Sequence, residues 1–172
     1  LLLDTLLNTP GSRIVTVTTL GHRLARIKFD DLQGKKSYSP FHAYVRSQLA
    51  NVLFAFQLQR KLEAVGAKTM SLAVHPGFVD TPMTRGFARS GLLLERIVRA
   101  AAPFVAQSAI VGALSLLYAA AAPDVKGDEF YGPQFYLRGY PQRQKAARAA
   151  YNADTAARLW KTSEELTGVH YT

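Results

Sequence analysis

The fold of this chain follows from RIVTVTT at residues 13–19, where β-branched side chains occupy nearly every position. Such side chains favour the pleated backbone, so the run predicts a buried β-strand. A helix breaker, NTPG at residues 8–11, precedes the strand, and a polar loop from Leu20 to about Pro40 follows it. The predicted strand is therefore bounded on both sides.

Downstream of this loop, helical and strand-like segments alternate. We expect a long helix at 41–65 that ends at Gly66, a second strand in TMSLAVHP (69–76), a loop from Phe78 to about Arg89, short helical pieces at 90–103, a helix at 106–122, a short strand within DEFYGPQFYL (128–137) and a last helix around 153–167. The order strand, helix, strand, helix, strand predicts an α/β fold with a parallel sheet.

The N-terminal segment indicates that this sheet is incomplete. Residues 1–7 resemble half of an amphipathic helix, without a residue that caps its start. Two strands and a short third are also few for a parallel sheet, whose strands need neighbours and cover on both faces. We therefore expect residues 1–172 to form a single partial domain whose preceding half is absent.

Composition narrows the range of functions. Hydrophobic residues make up 48% of the 172 residues, which is ordinary for a soluble globular chain. The net charge is +9, but the basic residues are scattered, so we expect a solvated basic surface and no nucleic-acid partner. The chain has no cysteine and its four histidines match no metal-ligand spacing, so no metal site is expected.

One uncharged stretch, between Arg99 and Asp124, approaches the length of a membrane span. It is rich in alanine and is interrupted by Pro103, so we expect a buried helix and no membrane span. The apolar first ten residues lack a basic start and include Asp4, which argues against a signal peptide. We expect a cytoplasmic protein, and a membrane-spanning protein that uses residues 100–122 is the least favoured alternative.

Within the predicted helix, the stretch FHAYVRSQLANVLF (41–54) places Tyr44 and Gln48 one turn apart on the same face. A lysine at the second position would form a proton-transfer pair with the tyrosine, because an ammonium favours the phenolate. Glutamine is neutral, and Arg46 lies on a different face of the helix. The sequence thus points to proton transfer and lacks the cation that would assist it.

Taken in order, several motifs resemble the short-chain dehydrogenase/reductase family, and more closely its retinol-dehydrogenase-like branch. The resemblance covers nearly all of the chain and runs through RIVTVTTLGHR, FDDLQ, YSPFHAYVRSQLANVLF, VHPGFVDTPM and RLWKTSEELTGV. It implies the C-terminal half of a Rossmann-like doubly wound parallel sheet. It also implies an NAD(P)-dependent oxidoreductase that acts on a carbonyl or an alcohol.

The resemblance also assigns roles to individual residues. The family's strand motif corresponds to Thr18-Thr19, and its Tyr-x-x-x-Lys motif corresponds to Tyr44 through Gln48. By that resemblance Tyr44 is the catalytic acid/base, and Thr19, 25 residues before it, is the hydroxyl that polarises the substrate. The family's lysine binds the nicotinamide ribose, and Gln48 keeps only the ability to hydrogen-bond there.

A loop after the second strand resembles the part of the family's site that contacts the nicotinamide. The family's Pro-Gly-x-x-x-Thr motif corresponds to Pro76, Gly77 and Thr81. The following segment, with Phe87 and the leucines at 92–94, resembles the variable lid, and its apolar character points to a small hydrophobic substrate. The family often dimerises through the helix that carries the tyrosine and the helix before it, so the resemblance implies a homodimer.

The cofactor that the family implies is NAD or NADP, yet no G-x-x-x-G-x-G turn for its pyrophosphate occurs in the chain. We therefore expect the 172 residues alone to be inactive and not to bind NAD(P)H. A second hypothesis is a non-catalytic pseudoenzyme or remnant that acts through protein contacts. Gln48 favours this hypothesis, whereas Tyr44, Thr19 and Pro76-Gly77 favour the enzyme.

Overall fold

A computed structural model describes residues 2–79 and 106–170. Within these ranges the chain forms helices α1 (Leu3–Leu7), α2 (Pro40–Ala64), α3 (Ala109–Ala121) and α4 (Ala153–Thr167), strands β1 (Arg13–Val17), β2 (Met70–Val74), β3 (Phe130–Pro133) and β4 (Pro141–Gln144), and short 3-10 helices at Leu20–Leu24, Phe29–Asp31 and Arg148–Tyr151. The predicted helices at 41–65, 106–122 and 153–167 and the three predicted strands are confirmed, with small shifts of their ends. The helical pieces predicted at 90–103 lie outside the described residues.

The four strands form one sheet in the order β1-β2-β3-β4. β1 is parallel to β2, and their pairing runs from Arg13 opposite Met70 to Val17 opposite Val74. β2 is also parallel to β3, where Ala73 lies opposite Phe130. The carboxyl ends of these three strands therefore meet at the same edge of the sheet.

β4 is a strand that the sequence analysis does not predict, and it makes the sheet mostly parallel. It runs antiparallel to β3, with Phe130 opposite Gln144 and Pro133 opposite Pro141. Its sequence, PQRQ, has no alternation of apolar and polar residues, so no strand signal marks it. A proline at the first position and polar side chains are typical of a strand at the edge of a sheet.

Helices pack on both faces of the sheet, as in a doubly wound fold. Along β2 the side chains alternate, so that Ala73 packs with α2 and α4, whereas Leu72 and Val74 pack with α3. α2 contributes the longest row of buried apolar side chains to the core, namely Val45, Leu49, Val52, Leu53, Ala55, Phe56, Leu58 and Leu62. The arrangement confirms the α/β, Rossmann-like fold class.

α3 falls within the uncharged stretch and differs from the helix expected there. Its buried residues are Gly112, Ser115 and Ala119, whereas Ile110 and Leu117 are 79% and 62% exposed. The helix is therefore buried on one face only. No helix in the described part of the chain is both long enough and apolar enough to cross a membrane.

Candidate active site

The candidate site lies at the edge of the sheet where β1 and β2 end. The N–H of Thr18 continues the pairing of these strands by donating to the main-chain oxygen of Val74 at 2.8 Å. Thr18 and Thr19, directly after β1, therefore lie at the same edge of the sheet as Pro76, which comes soon after the end of β2. Open α/β sheets bind their ligands at the carboxyl ends of the strands, so this is the edge at which a ligand is expected.

At this edge, α2 brings Tyr44 to Thr19. The phenol oxygen of Tyr44 lies 3.4 Å from Oγ1 of Thr19. Oγ1 of Thr19 also accepts the N–H of Gly21 at 3.2 Å. A Cβ on Gly21 would lie 3.2 Å from that Oγ1 and 3.7 Å from Cε1 of Tyr44, so the glycine leaves room for the pair. Both side chains are partly exposed.

Two hydrogen bonds hold α2 against the end of β1. Thr18 is buried, and its Oγ1 donates to the main-chain oxygen of Gln48 at 2.8 Å. One turn further along the helix, Nδ2 of Asn51 donates to the main-chain oxygen of Val17 at 3.2 Å. These bonds fix α2 relative to β1 and so set the separation of Tyr44 and Thr19. Thr18 and Asn51 both lie in stretches that resemble the family, but the sequence does not reveal the contacts that they make.

Gln48 stands one turn after Tyr44 in a continuous helix, as predicted. Its side chain is partly exposed, and its amide nitrogen lies 3.3 Å from Oγ of Ser47. Arg46 donates from Nε to the main-chain oxygen of His42 at 3.2 Å, so its guanidinium is held on the preceding turn of its own helix. The position of the family's lysine therefore carries a neutral amide.

The Pro76-Gly77 turn after β2 is clamped by the segment that joins β3 to β4. Gly77 has a φ of +77°, and a Cβ there would lie 2.5 Å from the main-chain oxygen of Leu137, so only glycine fits. That oxygen accepts the N–H of Phe78 at 2.8 Å. Gln107, which sequence reasoning did not single out, is buried and donates from Nε2 to the main-chain oxygen of Pro76 at 2.6 Å.

Thr81, the remaining residue of the predicted loop, lies outside the described residues. The same is true of Phe87 and the leucines at 92–94, which the resemblance assigns to the lid. Their roles stay predictions.

His75, directly before the turn, is completely buried and supports it. The N–H of Gly77 donates to Nδ1 at 3.2 Å, so Nε2 carries the proton and donates to Oε1 of Gln144 at 2.9 Å. The ring stacks on Phe130, and Gly132 makes room for it, because a Cβ there would overlap the imidazole. Burial lowers the pKa of His75 to about 4, although the bond to Gln144 acts in the opposite direction. The imidazole is therefore neutral near pH 7.

The side chains at this edge fit one end of a nicotinamide dinucleotide. The partly exposed amide of Gln48 has two N–H donors and a carbonyl acceptor, which suit ribose hydroxyls. The partly exposed turn at Pro76-Gly77 suits the close approach of a flat ring. A glycine-rich turn for the pyrophosphate is not in the chain. These residues thus fit the nicotinamide and its ribose, and not the whole dinucleotide.

Comparison with known proteins extends these observations. No protein-family model matches the chain. The chain is 39% identical over 158 residues to polyprenol dehydrogenase of Mus musculus, a match that covers 92% of this chain and 45% of that protein. It is 36% identical over 171 residues to retinol dehydrogenase 12 of Homo sapiens, covering 99% of this chain and 50% of that protein.

A solved structure shares the fold. The crystal structure of an uncharacterized protein from Mycobacterium paratuberculosis matches with a TM-score of 0.73 and 36% sequence identity, covering 94% of this chain and 52% of that one. The chain spans about half the length of the curated relatives it matches, and the match lies in their C-terminal part. From the mostly parallel sheet, the order of the motifs and these matches, we conclude that the chain belongs to the short-chain dehydrogenase/reductase family.

Proposed function

We propose that the protein is an NAD(P)-dependent oxidoreductase that interconverts an alcohol and a carbonyl compound, with Tyr44 and Thr19 binding the reacting oxygen. The observation that carries this proposal is the 3.4 Å separation of their two oxygens at the carboxyl edge of the sheet. The similarity of nearly the whole chain to dehydrogenases supports it.

The two hydroxyls would have different tasks. Oγ1 of Thr19 accepts the N–H of Gly21, which leaves its own proton for donation to a substrate oxygen. The phenol of Tyr44 would donate a proton to that oxygen when a carbonyl is reduced, and accept one when an alcohol is oxidised. The bonds made by Thr18 and Asn51 would keep both groups in position during the reaction.

The remaining residues would hold the cofactor. Gln48 would hydrogen-bond the ribose, while Pro76, Gly77 and Thr81 would lie along the nicotinamide. When bound, the nicotinamide supplies or accepts the hydride.

For the substrate we propose an apolar alcohol or aldehyde. The apolar residues Phe87 and Leu92 to Leu94 support this class. The names of the relatives support it as well, because they specify polyprenol and retinol as the alcohols of those proteins. These two alcohols are therefore the first substrates to test.

A matched pair of tyrosine variants tests the proposal. Tyr44→Phe removes only a hydroxyl, and we expect kcat for polyprenol or retinol oxidation to fall at least about a hundredfold. Tyr38→Phe removes the same group from a side chain that is 69% exposed, and should leave kcat unchanged. Equal kcat for Tyr44→Phe and the wild-type protein would refute the role of Tyr44.

Gln48 favours a second candidate function, a non-catalytic protein that acts through protein contacts. Position 48 carries no ammonium, so the described part of the site lacks the charge that the family's lysine supplies for proton transfer. A folded wild-type protein without turnover with either cofactor would support this candidate, whereas measurable turnover would exclude it.

A further inference from the structure

His22, in the 3-10 helix after β1, is completely buried and uses both ring nitrogens. The main-chain N–H of Ala147 donates to Nε2 at 2.9 Å. A main-chain N–H can only donate, so Nε2 is the acceptor and Nδ1 carries the proton. Nδ1 then donates to the main-chain oxygen of Thr19 at 2.7 Å. The tautomer of His22 is therefore fixed by its surroundings.

These bonds act on the residue that carries the candidate substrate-binding hydroxyl. The main-chain oxygen of Thr19 also accepts the N–H of His22 at 3.2 Å, while its Oγ1 accepts the N–H of Gly21. Backbone and side chain of Thr19 are thus both held at the start of the same helical turn. Without the ring, the main-chain oxygen would lose the shorter of its two bonds to His22.

The ring itself has a firm support. Its centroid lies 5.1 Å from that of Phe130, which also stacks with His75. Burial lowers the pKa of His22, although the hydrogen bond to Thr19 acts in the opposite direction, so the ring stays neutral near pH 7. A neutral ring keeps Nε2 as an acceptor for Ala147 and Nδ1 as a donor for Thr19.

We infer that His22 is a positioning residue, which holds the Thr19 hydroxyl beside Tyr44 by tying Thr19 to the segment that follows β4. The inference rests on the proposed function, because the hydroxyl matters for turnover only if Thr19 binds the reacting oxygen. The bond from Ala147 joins residues 125 positions apart in the chain, so the C-terminal part of the chain would help to shape the site.

Two substitutions of His22 in the complete protein separate its hydrogen bonds from its packing. His22→Phe keeps a ring beside Phe130 and removes both bonds, and kcat should fall about tenfold to a hundredfold with little change in KM for the cofactor. His22→Asn removes the ring, keeps an N–H for Thr19 and should recover part of this loss. His170→Asn changes a histidine whose side chain is 67% exposed, and should leave kcat unchanged.

A double-mutant cycle distinguishes positioning from a general loss of structure. In a Thr19→Ala background no hydroxyl remains to be held, so His22→Phe should lower kcat by less than about twofold. An equal fractional loss in the Thr19→Ala and wild-type backgrounds would overturn the inference.

The side-chain rotamer of Thr19, measured by methyl NMR of threonine-labelled protein, gives a result that does not depend on turnover. We expect one rotamer in the wild-type protein and in His170→Asn, and averaging in His22→Phe. A single unchanged rotamer in both His22 variants would overturn the inference even if the protein is active. If the wild-type protein shows no turnover and the Thr19 rotamer still averages in His22→Phe, the result would contradict the proposed function alone.

Discussion

At position 48 an amide stands one helical turn from the Tyr44 phenol, where the family motif has an ammonium. The amide can hydrogen-bond a ribose hydroxyl, but it has no charge with which to stabilise a phenolate. Position 48 therefore does not supply the electrostatic contribution that a lysine would make there.

Restoring the charge should raise activity. In the complete protein we expect Gln48→Lys to increase kcat by up to about a hundredfold, because the ammonium favours loss of the phenolic proton. Gln33→Lys adds the same charge at an exposed position outside the site and should have no effect. The check is steady-state kcat with saturating cofactor, and no gain for Gln48→Lys would mean that the missing charge does not limit turnover.

Some residues of the site could be found in the sequence and others could not. The sequence predicts Tyr44 and Thr19 because they belong to motifs at a characteristic spacing. His22, His75 and Gln107 were not found as parts of the site, because each acts on it through hydrogen bonds with main-chain atoms. No residue pattern records such contacts, which exist only after the chain has folded.

Alanine substitutions at two glycines test how tightly the turn after β2 is packed. Gly77 and Gly11 have similar φ angles of +77° and +73°. They differ in their surroundings, because a Cβ on Gly77 would collide with a neighbouring residue, whereas a Cβ on Gly11 would have nothing within 4 Å. Gly11→Ala should therefore cost only the left-handed backbone strain, about 1 kcal/mol of unfolding free energy. Gly77→Ala should cost about 3 kcal/mol or more, because a Cβ there meets the main-chain oxygen of Leu137.

Urea unfolding of the complete protein measures both losses under the same conditions. Equal losses for the two alanine variants would contradict the clamped turn. A larger loss for Gly77→Ala together with a lower kcat would link the turn to the site.

The helices were more predictable than the last strand. α2 begins at Pro40, whose missing N–H is harmless in a first turn, and it is followed by Gly66 in the left-handed conformation. α4 has equally local signals, a capping side chain at Asn152 and a left-handed Gly168. β4 has no such signal, because its pairing with β3 depends on the sheet that is already in place.

Across the whole molecule, the two buried histidines make stability depend on pH. The pKa of His75 is lowered to about 4 and that of His22 is lowered from an ordinary value of 6.5, in both cases mainly by burial. The unfolded chain therefore binds more protons than the folded one between about pH 6.5 and pH 4. The contribution of these two neutral rings to the free energy of unfolding is fully present above about pH 6.5 and is lost as the pH falls. For His75 alone the loss amounts to about 3 kcal/mol.

Unfolding free energies at a series of pH values between 7 and 4 check this expectation. His75→Gln should be less stable than the wild-type protein at pH 7 and should show a shallower decline with acid. His42→Gln alters an exposed histidine and should leave the slope as it is. An unchanged slope in His75→Gln would show that this ring does not titrate as its burial requires.

Hydride transfer between an alcohol carbon and a nicotinamide is the central claim, and isotope transfer measures it directly. The complete protein would be incubated with polyprenol or retinol deuterated at the alcohol carbon, together with NAD or NADP, and the mass of the nicotinamide product would be determined. The proposed function predicts that deuterium reaches the nicotinamide in the wild-type protein and largely fails to do so in Tyr44→Phe. A folded wild-type protein that transfers no deuterium to either cofactor would contradict it.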